Sequence, residues 1–239
     1  MRKEVLKEPT FEKEIAVMIR VSKSMDEMRQ QLRAYHDNDI AQSLKYLNRA
    51  ERNLLYSGLD AKWLAEIMSY VDDPAPYIEE IGIDKLAEII NEMEADDAVD
   101  LWEDIDESVK VKLRPMLDDE KTMDILLINS YDEDEIGSLI TTNYIRIKQN
   151  LSIRQAMHEL VQQAGENDNI TTLYVVDDRG RFCGAIDLKD LIVARENVAL
   201  DSLISYAYPY LLDHEKISDS IEKIKDYAED SLPVLNKDK

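Results

Sequence analysis

The 239-residue sequence predicts an α + α/β chain. An N-terminal superhelix of short α-helices is followed by tandem strand–helix–strand–strand–helix (β-α-β-β-α) motifs, the second of them incomplete. Three observations predict this. One apolar spacing recurs four times between Ile40 and Ile105. Carboxylates crowd the same region without breaking that spacing. Beyond Asp132 the hydrophobic period changes, and short apolar runs alternate with helical stripes.

Residues 1–36 alternate charge with Ile15, Val17, Met18, Ile19, Val21, Met25, Met28 and Leu32, which suits one or two amphipathic helices. The repeat then begins. Ile40-Ala41 with Leu44 and Leu47 form one stripe, and Leu64-Ala65 with Met68 and Val71 a second. Leu86-Ala87 with Ile90 and Met93 form a third, and Ala98-Val99 with Trp102 and Ile105 a fourth. Each is one face of a short helix. The steps between starts are 24, 22 and 12 residues, so the longer steps hold two helix-plus-turn units. Such a period predicts a solenoid-like stack. Asp37 or Asn38, Asp60, Asp84 and Asp96 are expected to cap successive helices. Trp63 and Trp102 fall on the stripes and are expected in the core.

The segment from Tyr131 to Gly137 reads as a linker. Its Asp132-x-Asp134 start is not an EF-hand, because Ile136 stands at the third ligand position and Asn143 at the twelfth, where a bidentate Glu is needed. Tyr144–Lys148 then reads as a strand. Ser152 and Gln155 form a capping box that opens a helix with Ile153, Ala156, Met157, Leu160 and Val161 inward. Leu173–Val176 reads as a strand covered on both faces, and Asp177–Gly180 as a turn. Phe182–Ile186 is a further strand, and Asp187 caps a helix through Leu188, Leu191 and Ile192. A weaker copy follows: Tyr210–Leu212, a helix from Ser218 with Ile221, Ile224 and Tyr227, and Leu232–Leu235.

A net charge of −22 argues against nucleic-acid binding, which requires basic surface, and against adsorption to anionic membranes. The single cysteine, Cys183, excludes an intramolecular disulfide framework and fits a reducing compartment. No run approaches a membrane span, and the charged N-terminus is unlike a signal peptide. The sequence thus reads as a soluble, intracellular, acidic chain. No nucleophile–base pairing or Walker loop stands out, so an enzyme is not expected.

Between Asp72 and Glu107 the chain carries fifteen carboxylates and one basic residue, Lys85. Helix capping and the macrodipole account for Asp60, Asp84 and Asp96. They do not account for Asp97, Asp100, Glu103, Asp104, Asp106 and Glu107. Asp96 and Asp100, like Asp100 and Asp104, are four residues apart, a like-charge spacing that destabilises a helix. A basic partner, metal cations, or water and salt could neutralise such a surface. His36, His158 and His214 are dispersed and form no zinc cluster with Cys183. Any metal bound here is therefore a hard, oxygen-ligated cation such as Mg²⁺.

Several segments carry a resemblance: Asp39-Ile-Ala, Asp134-Glu-Ile-Gly137-Ser-Leu139, Tyr174-Val-Val-Asp177 and Ile186-Asp-Leu-Lys-Asp-Leu191. Residues 136–194 resemble a CBS (cystathionine-β-synthase-type) motif and 200–236 the first part of a second. The whole arrangement resembles the cytosolic region of MgtE-type magnesium transporters. The resemblance implies an acidic helical domain over 1–130, a first CBS motif with its acidic linker over 131–199, and a truncated second motif over 200–239. It also implies a homodimer through the CBS motifs, and a transmembrane transporter domain outside this chain. The chain would then sit at the cytoplasmic face of the membrane as a Mg²⁺ sensor. The implied metal residues are Glu66, which matches a family ligand position, with Asp96, Asp97 and Asp100 on the helical side and Asp132 and Asp134 in the linker. Where the family often places an acid in the helix of the second motif, this chain has Ala228, leaving Glu229 or Asp230 as substitutes.

The implied mechanism is compaction: Mg²⁺ bridges acidic faces and favours a pore-closed state. One site at ten times its dissociation constant contributes about 1.4 kcal/mol, and a 1:99 to 99:1 shift needs roughly 5.5 kcal/mol, so about four weak ions must act together. Two alternatives stand beside it. Many CBS pairs bind adenine nucleotides through G-h-h-[S/T]-x-x-D; here Gly184-Ala-Ile-Asp187-Leu-Lys-Asp190 keeps Asp190 for ribose but puts Asp187 where phosphate would lie. The other is a ligand-free helical-repeat scaffold.

Overall fold

The computed structural model describes residues 11–165, 167, 169–227 and 229–237. The chain divides into two compact units. One holds the described residues up to Met93 together with Asp97–Thr122; the other holds Glu94–Asp96 and the chain from Met123 onward.

The first unit is built from short helices: α1 (Glu12–Val21), α2 (Met25–Leu32), α3 (Asp37–Ser43), α4 (Arg49–Gly58), α5 (Ala61–Met68), α6 (Ala75–Ile78), α7 (Ile83–Glu92), α8 (Ala95–Glu103), α9 (Glu107–Leu113) and the start of α10 (Asp119–Ile128). Their packing follows the repeat. α3 lies on α1, α5 on α3, α7 on α5, and α9 on α7. No helix here is longer than ten residues among those described, so each depends on burying its stripe rather than on its own propensity. Ile40, Leu44, Leu64, Leu86 and Ile90 are almost wholly buried, as are Ala98 and Trp102. On α1 the inward residues are Ile15, Ala16 and Ile19, while Val17 and Val21 point to solvent against the sequence expectation. A ten-residue helix with one neighbour layer buries one stripe, and those two fall outside it.

Asp60 caps α5 by accepting from the Trp63 N–H at 2.9 Å. The other three expected caps differ. His36, not Asp37 or Asn38, caps α3, its Nδ1 accepting from the Asn38 N–H at 3.1 Å. Asp37 is already taken, accepting from Trp63 Nε1 at 2.7 Å; Trp63 is accordingly half-buried rather than fully in the core. Asp84 sits one residue inside α7, whose N-cap is Gly82. Asp96 likewise lies within the first turn of α8.

The second unit contains the expected β-α-β-β-α order: β1 (Ile145–Lys148), α11 (Ile153–Gln163), β2 (Thr172–Val176), β3 (Phe182–Asp187) and α12 (Leu188–Val193). β2 is the central strand, parallel to β1 and antiparallel to β3. All five of its residues are buried, which is why it reads as an uninterrupted apolar run. The Ser152–Gln155 capping box forms, and Asp187 caps α12 by accepting from the Lys189 N–H at 2.7 Å. Val161 is exposed, not buried as expected, and Ile192 is exposed as well. They point away from the core that Ala156, Leu160 and Leu191 share with the sheet. The weaker copy supplies β4 (Leu211–Leu212), α13 (Ile217–Tyr227) and β5 (Val234–Leu235), with β4 and β5 parallel. Ile221, Ile224 and Tyr227 remain exposed on α13.

The linker is fixed within this unit. Glu135 pairs with Lys216 as an isolated antiparallel bridge. The Ile136 and Gly137 N–H groups donate to the Glu215 and Asp213 carbonyls at 2.8 Å each.

Candidate metal centre

α8 concentrates the acidity of the helical unit. Asp97 and Asp100 lie on it at i and i+3, and Asp104 follows at i+7, so the three share a face. With Asp72 and Glu103 they line a cleft of about 540 Å³ that also receives Asn38, Gln42, Ser69 and Tyr70. The polar groups are oxygen donors, with the two amides and the phenol adding N–H or O–H. This is a hard-ligand set, and the volume has room for ions that retain water. Asp97 is half-buried and Asp100 exposed. No three His, Cys, Asp or Glu side chains converge to a preformed metal cage among the described residues. The arrangement fits hydrated Mg²⁺, which needs only one or two carboxylates, better than a dehydrated ion.

The other implied ligands lie elsewhere. Asp96 clusters with the second unit and does not line the cleft; its Oδ1 is buried without a hydrogen-bond partner among the described residues. A buried carboxylate oxygen left so is costly unless a cation or water meets it. Glu66 lies on α5, half-buried and outside the cleft lining. Asp132 is exposed in the linker, where its own N–H donates to Glu135 at 3.0 Å. Asp134 pairs with Lys216 at 2.6 Å, and that hydrogen bond holds its carboxyl below the usual carboxylate range. An ion at Asp134 must therefore displace an ammonium. Ala228 lies outside the described residues; Glu229 accepts from Tyr208 Oη at 3.3 Å, and Asp230 is exposed.

Sequence reasoning counted Asp72, Glu103 and Asp104 only as part of the acidic excess. The i, i+3, i+7 phase of Asp97, Asp100 and Asp104 is the signal that marks the cleft. Asp72 carried no such signal, since it reaches the cleft through the turn after α5.

The second unit has its own cleft, of about 440 Å³. Tyr144, Tyr174 and Phe182 line it together with Thr141, Arg146 and Ser231. Tyr174 stacks edge-to-face on Tyr144 and Phe182, and its hydroxyl meets Ser231 Oγ at 2.7 Å. Asp190, the implied ribose ligand, is exposed in the first turn of α12 and does not line this cleft. Cys183 is half-buried on β3, and burial pushes its thiol up.

These features define a class: an acidic stack of short helices joined to a βαββα unit of the CBS type. No helix of the described residues is long and apolar enough to cross a membrane. Residues 35–134 match the MgtE intracellular N domain, and residues 136–197 match a CBS domain. The chain thus carries matches to these two domains, in this order. It is 24% identical over 216 residues to magnesium transporter MgtE of Thermus thermophilus, covering 88% of this chain and 48% of that protein. It is 28% identical over 234 residues to the MgtE of Enterococcus faecalis, covering 95% of this chain and 52% of that protein. The chain therefore spans about half the length of the curated relatives it matches. Among solved structures, the soluble part of a magnesium transporter superposes with a TM-score of 0.88 at 27% identity, covering 95% of this chain and 91% of that one. The cytosolic domain of the Mg²⁺ channel MgtE in complex with ATP gives 0.84 at 24% identity, over 93% of each chain.

Proposed function

We propose that this chain is the Mg²⁺-sensing cytosolic region of a membrane magnesium transporter. Mg²⁺ gathers on the acidic faces, draws the helical and CBS units together and favours a compact, pore-closed state. The observation that carries this reading is the cleft lined by Asp72, Asp97, Asp100, Glu103 and Asp104. Five carboxylates lining one cleft make it attractive to cations. Asp97 and Asp100 are the principal ligands; Asp96, Glu66, Asp132 and Asp134 are secondary. The protein works at the cytoplasmic face of the membrane, as a homodimer through its CBS motifs, with domain boundaries near residues 130 and 199. The test is small-angle scattering of the chain from EDTA to millimolar MgCl₂, with KCl at matched ionic strength. The radius of gyration falls with Mg²⁺ beyond the KCl control, and Asp97→Ala with Asp100→Ala reduces the fall. Identical curves in the two salts refute the mechanism.

A second reading concerns the CBS unit. Its aromatic cleft, lined also by Arg146 and Thr141, suits an adenine nucleotide, and one structural neighbour is an ATP complex. Stacking of the base on Tyr144 or Tyr174 would then carry recognition, without the ribose contact first assigned to Asp190. Calorimetric titration with ATP tests it: Arg146→Ala weakens binding, while Asp190→Ala leaves it unchanged. Heats no larger than dilution remove this reading.

A further inference from the structure

A separate cleft of the helical unit, about 300 Å³, lies between α4 and the start of α7. We propose that it binds a small oxyanion, a phosphate or carboxylate group. Its lining includes Asn53, Tyr56, Glu80, Gly82 and Lys85.

Two independent observations meet there. The first is the beginning of α7, a ten-residue helix whose N-cap is Gly82 (φ −63°, ψ 145°), so no side chain accepts from its first-turn N–H groups. Those groups lack intrahelical partners and form the positive end of the helix dipole, a natural seat for an anion. The second is Tyr56. It is 5% exposed, and its hydroxyl has no hydrogen-bond partner among the described residues. A buried hydroxyl without a partner is unfavourable, and a bound anion would accept its proton in a hydrogen bond. Burial, reinforced by Glu80, pushes the phenol well above its ordinary pKa, so it stays a donor at neutral pH.

The charges select the class of ligand. Among the described residues Glu80 is the one carboxylate lining the cleft, and both of its oxygens are engaged by Arg52, from Nε and Nη2 at 2.7 Å each. A divalent cation would have to break that pair and would find no second carboxylate in the lining. The ammonium of Lys85, 3.4 Å from Glu88, adds positive charge in the first turn. Asp84 opposes an anion but is exposed and outside the lining. The rest of the net charge is screened beyond about 8 Å at physiological ionic strength, which leaves the local donors to decide.

The test is an amide-resolved NMR titration of the ¹⁵N-labelled whole chain in EDTA, with potassium phosphate against KCl at equal ionic strength. An acetate series distinguishes phosphate from carboxylate. Saturable shifts are expected at Gly82, Ile83, Asp84 and Lys85, and none at the start of α11, where Ser152 already caps the helix. Tyr56→Phe keeps the shape and should weaken the affinity about tenfold, the worth of one hydrogen bond to a charged group. Shifts that do not saturate, that KCl reproduces, or that Tyr56→Phe leaves unchanged overturn the site. All readouts lie in the helical unit without divalent cations, so this outcome is independent of the Mg²⁺ reading.

Discussion

The Arg52–Glu80 pair offers a demanding test of how the helical unit is held together. It is bidentate and largely buried, with side chains 17% and 11% exposed. Arg52 Nη1 also donates to the Leu47 and Leu44 carbonyls, and its guanidinium lies over the Tyr77 ring at 5.3 Å. One side chain thus ties α4 to the turn before it and to the segment after α6. Arg52→Met leaves Glu80 half-buried and unpaired and removes the donor to both carbonyls. Full burial would cost 3–5 kcal/mol; the residual exposure lowers the expected loss to about 2–3 kcal/mol. Glu80→Gln keeps a hydrogen-bonding side chain and costs about 1–2 kcal/mol. Arg52→Met with Glu80→Met removes both charges and should be milder than the sum of the single changes. Both tryptophans, Trp63 and Trp102, lie in the helical unit, so urea unfolding followed by tryptophan fluorescence reports on it selectively. The pH dependence follows from Glu80, whose carboxyl is held below the ordinary 4.5 first by its hydrogen bond from Arg52. Its contribution is fully present above the ordinary value and is lost as pH falls through the depressed one. The gap between the parent chain and Glu80→Gln should therefore close in acid. A loss below about 0.5 kcal/mol for Arg52→Met, or a gap that persists in acid, would refute this account.

Three further substitutions probe other parts of the chain. Tyr56→Phe removes an unsatisfied buried hydroxyl and should raise stability by about 1 kcal/mol in anion-free buffer, measured by the same fluorescence assay. Gly184→Ala places a Cβ 2.5 Å from the Ser205 carbonyl oxygen and 2.9 Å from Ile204 Cγ2, and should cost about 1–3 kcal/mol, read as a lower circular-dichroism melting temperature. Asp187→Ala removes the cap of the six-residue α12 and should cost about 1 kcal/mol, visible as faster amide exchange at Lys189.

Local chemistry was legible in the sequence and long-range partnership was not. The capping box at Ser152, the caps at Asp60 and Asp187, and the buried run of β2 each depend on residues close in the chain. The cap at α3 does not. Asp37 accepts from Trp63, 26 residues away, and His36 takes its place. Likewise Asp134 looked like a free linker acid, but Lys216, 82 residues on, neutralises it. Apolar spacing also overstates burial where an element has only one covered side, as Val17, Val161 and Ile192 show. Gly184 entered the sequence reading as part of a nucleotide-binding segment. Its position has a simpler cause: residue 205 pairs with Ala185 beside it, and a side chain would block that approach.

The same distinction sharpens the meaning of the acidic stretch. Asp60 and Asp187 serve as caps, and so does Asp106, against the sequence reading that capping does not account for it. Glu51, Glu80, Asp134 and Asp177 are bound by arginine or lysine. These acids are satisfied within the fold and offer a cation little. The 540 Å³ cleft differs in its concentration of acids: five carboxylates line it, with no lysine or arginine in its lining among the described residues. A single ion there at ten times its dissociation constant contributes about 1.4 kcal/mol, against roughly 5.5 kcal/mol for a complete two-state switch. A response that runs through this surface is therefore steep in Mg²⁺ because several ions must act together. Removing one carboxylate, for example by Asp104→Asn, should flatten the scattering response rather than abolish it. An all-or-none loss from that one change would instead indicate a single tight site, contrary to a lining without a preformed cage.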